Sequence, residues 1–311
     1  MLNYLLSTNM LGIKETKLYL TSNFKMKDLC EVNTILGIKI SKHDNSFSMN
    51  QSHYINKLLT KYNYIGIKEA TTPYDSSMKL AKNEGRVVAQ LEYASAIGSL
   101  MYAMHCTRPD IAFTICKLAR FTNKPSMDHW KAIGRVLGYL KKIMYFKLHY
   151  NDYPAVLEGY SDASWITNAN ENKSTSGWIF TLGGGAISRA SKKQTCISHS
   201  TMEFEFISLS AASKEEEWLR NFLLDIKLWP QPIPAVSLFC DNEAALSGAY
   251  NNVYNGKSRH ISLRHAYIRK LIKYDIITIM YVKSGNNLAD PLTKALSRDL
   301  VRSSAFGMGL K

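Results

Sequence analysis

The chain has 311 residues, of which 46% are hydrophobic and 21% charged, a composition that excludes an intrinsically disordered protein and leaves room for two domains. Lysine and arginine number 39 against 25 acidic residues, and the net charge of +14 favours a polyanionic partner such as nucleic acid. No apolar run approaches the roughly 18 residues that a membrane helix needs, which argues against a membrane partner.

The cysteines and the first residues indicate a reducing intracellular compartment. Five cysteines are widely spaced without a Cys-x-x-Cys pair, so neither a disulfide framework nor a zinc ribbon is expected. The opening segment MLNYLLSTNM lacks the basic start and the small-residue cleavage site of a signal peptide.

The first 150 residues have the patterns of a mixed α and β region. Three segments show the spacing of regular elements: a helix at 10–22, a strand at 34–41 and a short helix at 53–62. Pro73 predicts a turn or linker, because proline lacks a backbone donor and restricts the residue before it. Apolar residues from 90 to 142 are spaced as in helices, and the last of these helices is expected to begin near Ser126.

After residue 150 the pattern changes to short strands with turn-rich connections. The strands are predicted at 156–161, 177–182, 186–191, 236–240 and 276–282. The helices are predicted at 201–226, 242–250 and 260–274, with a final helix from about 288. This order predicts an α/β fold with a mixed five-stranded sheet and flanking helices. We place the boundary between two domains, 1–150 and 151–311, near residues 151–154.

Four acidic residues lie where predicted elements would present them at one edge of the sheet. Asp162 and Asp241 end predicted strands. Glu205 lies one turn into the long helix, and Asp290 opens the final helix. Carboxylate oxygens are hard ligands that suit Mg²⁺ rather than zinc. Two such ions about 3.5–4 Å apart can activate water and stabilise the leaving oxygen in phosphodiester hydrolysis.

The spacing alone leaves alternatives open for these acids. An aspartate at a strand end is more often a turn former or a helix cap, and Asp241 followed by Asn242 fits a cap. Glu203 and Glu205 are two residues apart, so they point to different faces of the helix. Only one of the two can join the cluster, and their order does not decide which.

Several motifs in the second half resemble the RNase H domain of copia-type Pol polyproteins. The shared pieces cover nearly all of 155–297 and are EGYSDASW, KSTSGWIFTLGGGAIS, SKKQTCISHSTMEFEF, EEEWLRNFL, CDNEAAL, YNGKSRHISLRH and NNLADPLTKAL. The resemblance implies an RNase H-like domain that cuts the RNA strand of an RNA–DNA hybrid with two Mg²⁺ ions, or with Mn²⁺. It also implies a cytoplasmic or nuclear location and contact with other Pol- or Gag-derived chains.

The same resemblance assigns the catalytic, metal-binding residues. These are the four carboxylates Asp162, Glu205, Asp241 and Asp290. The family's catalytic glutamate directly precedes an aromatic residue, here Phe206, which selects Glu205 over Glu203. One departure from the family is Arg189 at a position that is commonly tryptophan, and we expect it to reduce packing in a half-buried strand.

The first half resembles the part of the same polyproteins that follows the polymerase active site, a partial palm, thumb and connection-like region. The matching pieces are FKMKDL, TILGIKIS, QSHYINKLL, TPYD, IGSLMYAMHCTRPDIAF and HWKAIGRVLGYLKK. The family's Tyr-x-Asp-Asp motif has no counterpart in the chain, so polymerisation by this chain alone is not expected.

Basic and aromatic residues give further predictions. The predicted nucleic-acid contacts are Lys192, Lys193, Lys257, Arg259, His260 and Arg264. A second hybrid-binding face in the first half is predicted from Arg120, Lys131, Arg135 and Lys141. We interpret His265 as a solvated residue at a helix start. The tryptophans Trp165, Trp178 and Trp218 are predicted to be core residues.

Two alternatives to a working RNase H remain. The chain could be a folded remnant that binds nucleic acid and cuts nothing, or one part of a split reverse transcriptase that another chain completes. The enzyme requires the four carboxylates to share metals, whereas the remnant tolerates their dispersal.

Overall fold

The computed structural model describes residues 10–28, 30, 32–78, 80–151, 156–168, 173–226, 232–254 and 258–311. The elements of the first half are α1 (Met10–Asn23), β1 (Thr34–Ile35), β2 (Ile38–His43), β3 (Ser46–Asn50), α2 (Ser52–Lys61), α3 (Gln90–Cys106), a 3-10 turn (Pro109–Ile111), α4 (Ala112–Ala119), α5 (Met127–Lys142) and β4 (Leu148–Tyr150). Strands β1 to β4 form an antiparallel sheet in that order.

Helix α5 shows how the local sequence determines these elements. Ser126 caps the helix, since its hydroxyl accepts from the His129 N–H while the His129 ring accepts from the Ser126 N–H. Val136 and Leu140, four residues apart, are fully buried in the core formed with α2, α3 and α4. The predicted helix start at Ser126 is confirmed.

The predicted strand at 34–41 is wrong in one respect. Leu36 and Gly37 have positive φ angles of 52° and 78°, so the chain reverses there. Thr34–Ile35 then pairs with Ile38–Lys39 as two short antiparallel strands. The glycine permits this turn, because it adopts a positive φ at little cost.

The second half contains the mixed five-stranded sheet. Its elements are β5 (Glu158–Asn168), β6 (Lys173–Leu182), β7 (Gly185–Lys193), α6 (Thr201–Asp225), β8 (Val236–Cys240), α7 (Glu243–Tyr250), α8 (Arg259–Lys273), β9 (Ile277–Tyr281), 3-10 turns at Ser284–Asn286 and Asp290–Leu292, and α9 (Arg298–Gly307). The strand order is β7-β6-β5-β8-β9. Strands β5, β6 and β7 are antiparallel, whereas β8 and β9 run parallel to β5. The predicted α/β fold with a mixed five-stranded sheet and flanking helices is confirmed.

Both faces of this sheet are covered. Trp178 and Phe180 of β6 lie in a core with α6 and α8. Ile179, between them, points to the opposite face and joins the core of the first half. One hydrophobic core therefore crosses the boundary drawn near residue 151, and the division into domains 1–150 and 151–311 stays a prediction.

The predicted final helix from residue 288 is wrong. Asp290 opens a 3-10 turn, and the helix α9 begins only at Arg298. Asn287 pins the segment to the sheet, since its side-chain amide donates to the Ser161 carbonyl and its Oδ1 accepts from the Ala289 N–H. Pro291 then occupies the start of the turn, where its missing N–H costs nothing.

Two of the three tryptophan predictions are wrong. Trp178 is buried as predicted, but Trp165 and Trp218 are 62% and 59% exposed. Trp165 lies where β5 extends past its parallel partner β8, whose pairing ends at Ser161. Trp218 lies off the buried stripe of α6 and stacks on Phe222 at the surface, with ring centroids 5.6 Å apart.

One further prediction about a polar residue is wrong. His265 is buried, not solvated, and one of its ring nitrogens lies 2.9 Å from the Asn251 carbonyl oxygen. Helix α8 places it on the same face as Ile261 and Ile268, which are also buried. The guanidinium of Arg189 is paired, since it donates two hydrogen bonds to the Met104 carbonyl of α3, and the expected loss of packing in its strand stays a prediction.

Candidate metal site

The register of β5 and β8 determines where two of the carboxylates lie. The parallel strands pair up to Ser161 and Cys240, and Asp162 and Asp241 follow directly. The prediction that Asp162 ends its strand is wrong, because β5 continues to Asn168 as the partner of β6. Asp162 lies instead where the pairing with β8 stops, so the two aspartates meet at the same edge.

Glu205 reaches this edge from the first turns of α6. Ser200 caps the helix by accepting from the Glu203 N–H, and the Ser208 hydroxyl donates to the Asp162 carbonyl at 2.7 Å. One carboxylate oxygen from each of Asp162, Glu205 and Asp241 lies within 4.8 Å of the other two. The structure therefore brings three of the four predicted ligands together.

Glu203 faces a different group of atoms. One of its oxygens accepts from the His199 N–H at 2.8 Å, and the other accepts from the Ser258 hydroxyl at 3.2 Å. This carboxylate closes the cap of α6 and links it to the residue before α8. The geometry thus places Glu205, and not Glu203, in the cluster.

Asp290 is connected to the cluster through a lysine and does not belong to the group of three. Lys294 Nζ lies 2.9 Å from Asp290 Oδ1 and 3.7 Å from Asp162 Oδ1. The Thr293 hydroxyl donates to Asp162 Oδ2, and the Ser284 hydroxyl donates to Asp290 Oδ2 at 3.3 Å. Thr293 and Lys294 were not among the predicted site residues, although their positions three and four residues after Asp290 indicate a shared turn.

Burial and neighbouring negative charges raise the pKa values of carboxyl groups in this site. Burial raises the pKa of Asp162 to about 7, with the Lys294 ammonium opposing the shift and Asp290 adding to it. Burial, followed by Asp162 and Asp241, raises the pKa of Glu205 to about 10. Burial also raises the pKa of Asp290, against the opposing effect of Lys294. Burial by itself would lower the pKa of Lys294, but the carboxylates of Asp162 and Asp290 raise it.

These residues fit a hard divalent cation. All the ligand atoms are carboxylate oxygens. Three carboxylates converge there, and burial makes their negative charge unfavourable unless a cation compensates it. Without a cation the cluster retains protons, as the raised pKa of Glu205 indicates. A divalent cation can replace those protons, and oxygen-only ligands favour Mg²⁺ or Mn²⁺ over zinc.

The predicted nucleic-acid contacts fall into two groups. Arg259, His260 and Arg264 lie on the first turns of α8, which the bond between Ser258 and Glu203 holds beside the start of α6. Lys192 and Lys193 lie on β7, two strands from β5, which is about 10 Å at the usual strand spacing. Lys192 also lies over the ring of Trp178, 4.9 Å from its centroid. Lys257 lies outside the described residues.

The basic residues predicted to line a second face in the first half all contact the chain itself. Arg120 donates to the Thr175 hydroxyl, and Arg135 pairs with Asp75. Lys131 pairs with Asp128, and Lys141 donates to the carbonyls of Ile65 and Ile67. Their use as a hybrid-binding face stays a prediction. Within the described residues, no helix has the length and apolarity needed to span a membrane.

The fold and the site define an α/β protein with a mixed five-stranded sheet and an acidic cluster at one edge of that sheet. Residues 3–76 match the family described as Reverse transcriptase (RNA-dependent DNA polymerase). The chain is 35% identical over 289 residues to the retrovirus-related Pol polyprotein from transposon TNT 1-94 of Nicotiana tabacum, with 90% of this chain and 22% of that protein covered. It is 32% identical over 295 residues to the Pol polyprotein from transposon RE1 of Arabidopsis thaliana, with 94% and 20% covered.

A solved structure covers both halves of the chain. The foamy viral protease-reverse transcriptase in complex with dsDNA matches with a TM-score of 0.50 and 14% identity, over 88% of this chain and 51% of that one. The homologues of the chain are Pol polyproteins of copia-type retrotransposons. The chain spans about a fifth of the length of these curated relatives.

Proposed function

We propose that the chain is a Mg²⁺-dependent ribonuclease H that cuts the RNA strand of an RNA–DNA hybrid. The observation that carries the proposal is the convergence of Asp162, Glu205 and Asp241, whose ligand oxygens all lie within 4.8 Å of one another. Asp290, on the second 3-10 turn after β9, is linked to Asp162 through Lys294 and would be the fourth ligand. When bound, divalent ions at these residues would activate water and stabilise the leaving oxygen.

The chain's own residues hold this arrangement in place. The hydroxyls of Thr293 and Ser208 fix the side chain and the backbone of Asp162, so the carboxylate has little freedom to rotate. Asn287 binds the Ser161 carbonyl and keeps the Asp290 turn against the strand. The basic residues at the start of α8 and on β7 would neutralise hybrid phosphates on either side of the cluster.

Cleavage of a labelled RNA–DNA hybrid, with Mg²⁺ or with EDTA, tests the proposal. Asp162→Asn keeps the size of the side chain and removes the charge that divalent ions need. We expect this change to lower the cleavage rate by about two orders of magnitude or more, because it removes a principal electrostatic contribution. Hybrid binding should persist, since it depends mainly on contacts between basic side chains and phosphates.

Glu203→Gln is the matched control. It makes the same change from acid to amide on the same helix, but outside the cluster. Cleavage by this variant should stay within about threefold of the unmodified protein. Equal losses in both variants would refute the assignment of Glu205. An unmodified protein that binds the hybrid and does not cut it would be the inactive remnant.

A further inference from the structure

Lys294 is the cationic side chain that contacts two of the four carboxylates. Its ammonium lies 2.9 Å from Asp290 Oδ1 and 3.7 Å from Asp162 Oδ1. Asp290 opens the 3-10 turn Asp290–Leu292, and Lys294 follows four residues after it. The Lys294 N–H also donates to the Asp290 carbonyl at 3.2 Å, so the backbone holds the pair in register.

Because of Lys294, the acidic residues offer two unequal positions for a divalent cation. Asp162, Glu205 and Asp241 form a group whose ligand oxygens lie within 4.8 Å of one another, and Asp290 is not a member of it. Asp162 belongs to this group and also faces Lys294. A cation bound by the three carboxylates therefore has a site of its own, whereas one placed between Asp162 and Asp290 has to occupy the region of the ammonium.

We propose that Lys294 is a built-in counter-ion for the Asp162–Asp290 position, so that the free protein binds one divalent ion tightly and a second only in competition with the ammonium. The inference rests on the proposed metal-dependent function and specifies how its site is loaded. A lysine charge and a divalent ion about 4 Å apart repel each other strongly in a partly buried site. The ammonium thus offsets one of the two carboxylate charges at the position between Asp162 and Asp290 when no metal is bound.

The side chain of Lys294 can leave this position. It is 35% exposed, whereas the Asp162 carboxylate that it faces is buried. Lysine is a compact charge on a flexible stem, so rotation of its outer bonds moves the ammonium into solvent without a change in the backbone. The second ion would then enter when the phosphate of a bound hybrid adds negative charge at the same place.

The test counts bound Mn²⁺ by the loss of the free-ion EPR signal, with no substrate present. The unmodified protein should bind one Mn²⁺ tightly, and Asp162→Asn should abolish that binding. Lys294→Met should gain a second tight ion, its affinity increased by about tenfold or more once the competing charge is removed. Lys294→Arg keeps the charge and should still bind one ion. Lys294→Gln is a second neutral variant, in case the methionine variant does not fold.

A matched control is Lys17→Met. Lys17 is 34% exposed and pairs with Asp28 at 3.0 Å, far along the chain from the cluster. Removal of the Lys17 charge should leave the number of tightly bound Mn²⁺ ions at one. Two tight ions in the unmodified protein, or one ion in folded neutral variants of Lys294, would overturn the inference and leave the proposed nuclease intact. No tight Mn²⁺ in the unmodified protein would overturn both.

Discussion

Asp110 and Glu216 are buried acidic residues with opposite surroundings. Asp110 accepts two hydrogen bonds from Arg108 and one from the Tyr139 hydroxyl, so its charge is paired. Both carboxylate oxygens of Glu216, on α6, are buried without a hydrogen-bond partner among the described residues. Burial raises the pKa of Glu216 to about 9, with a smaller opposing effect from Arg220. Glu216 is therefore neutral in the folded protein near neutral pH.

We predict that Glu216→Gln raises the free energy of unfolding at alkaline pH. Between the ordinary glutamate pKa of 4.5 and about 9, the folded protein keeps a proton that the unfolded chain has released. Its stability therefore falls as pH rises through that window, by at most about 1.4 kcal/mol per pH unit. Glutamine does not titrate, so the variant lacks this dependence of stability on pH. Urea unfolding at pH 5 and pH 8.5 measures the difference.

The control for this prediction is Glu15→Gln on the exposed side of α1. It removes a carboxylate from the surface, so its effect on stability should be the same at both pH values. If the stability gain of Glu216→Gln were also independent of pH, Glu216 would be charged in the folded protein.

At the scale of elements, the segment at residues 290–294 packs closely against β6, and the acidic site depends on this contact. Gly177 of β6 lies directly opposite Asp162 on β5. A Cβ at this position would lie 2.6 Å from Thr293 Cγ2 and 2.9 Å from Leu292 Cβ. Only glycine lets the turn come close enough for the Thr293 hydroxyl to reach Asp162. The backbone of β6 thus shapes the acidic site without contributing a ligand.

We predict that Gly177→Ala lowers stability by about 1–3 kcal/mol, the usual cost of overpacking a dense interior. It should also weaken Mn²⁺ binding, since the added methyl group pushes Thr293 away from Asp162. Denaturant unfolding and Mn²⁺ titration measure the two effects. Gly98→Ala is the control, because a Cβ at that helical position in α3 meets nothing within 4 Å. This change should stabilise the protein by about 0.5–1 kcal/mol.

At the scale of the whole molecule, the last four residues connect the two sheets. Lys311 exchanges backbone hydrogen bonds with Lys147, and the Gly309 carbonyl accepts from the His149 N–H of β4. The Met308 carbonyl accepts from the Ala186 N–H of β7. The side chains of Met308 and Leu310 are fully buried. The segment therefore holds the small antiparallel sheet and the edge of the mixed sheet together.

We predict that deletion of residues 308–311 lowers the free energy of unfolding by several kcal/mol. Loss of one large buried side chain costs about 2–5 kcal/mol, and the deletion removes two together with their backbone bonds. Thermal or urea unfolding measures the loss. Lys311→Ala is the control, because it removes an exposed side chain and keeps the backbone pairing with Lys147. Equal stability of the deleted and complete chains would mean that the two sheets are held elsewhere.

Much of the fold could be predicted from local sequence. Helices α5 and α6 could be predicted because their apolar spacing, and in α5 the cap Ser126, act within a few residues of chain. The approach of Asp162 and Asp241 could be predicted because the segments before both have the pattern of strands, and these segments pair side by side up to Ser161 and Cys240. These features depend on hydrogen bonds and side-chain periods that each segment contains in itself.

Other features were decided only by tertiary structure. The exposure of Trp165 and Trp218 and the burial of His265 depend on which face of each element a distant segment covers. Lys294 became part of the site because the turn that carries it packs on β6, more than a hundred residues away in sequence. The Arg189 guanidinium donates a hydrogen bond to the Met104 carbonyl, which lies on a helix of the other half of the chain. Residue type and spacing determine which elements form, whereas the contacts between distant elements determine which side chains are buried, paired or free to bind a metal.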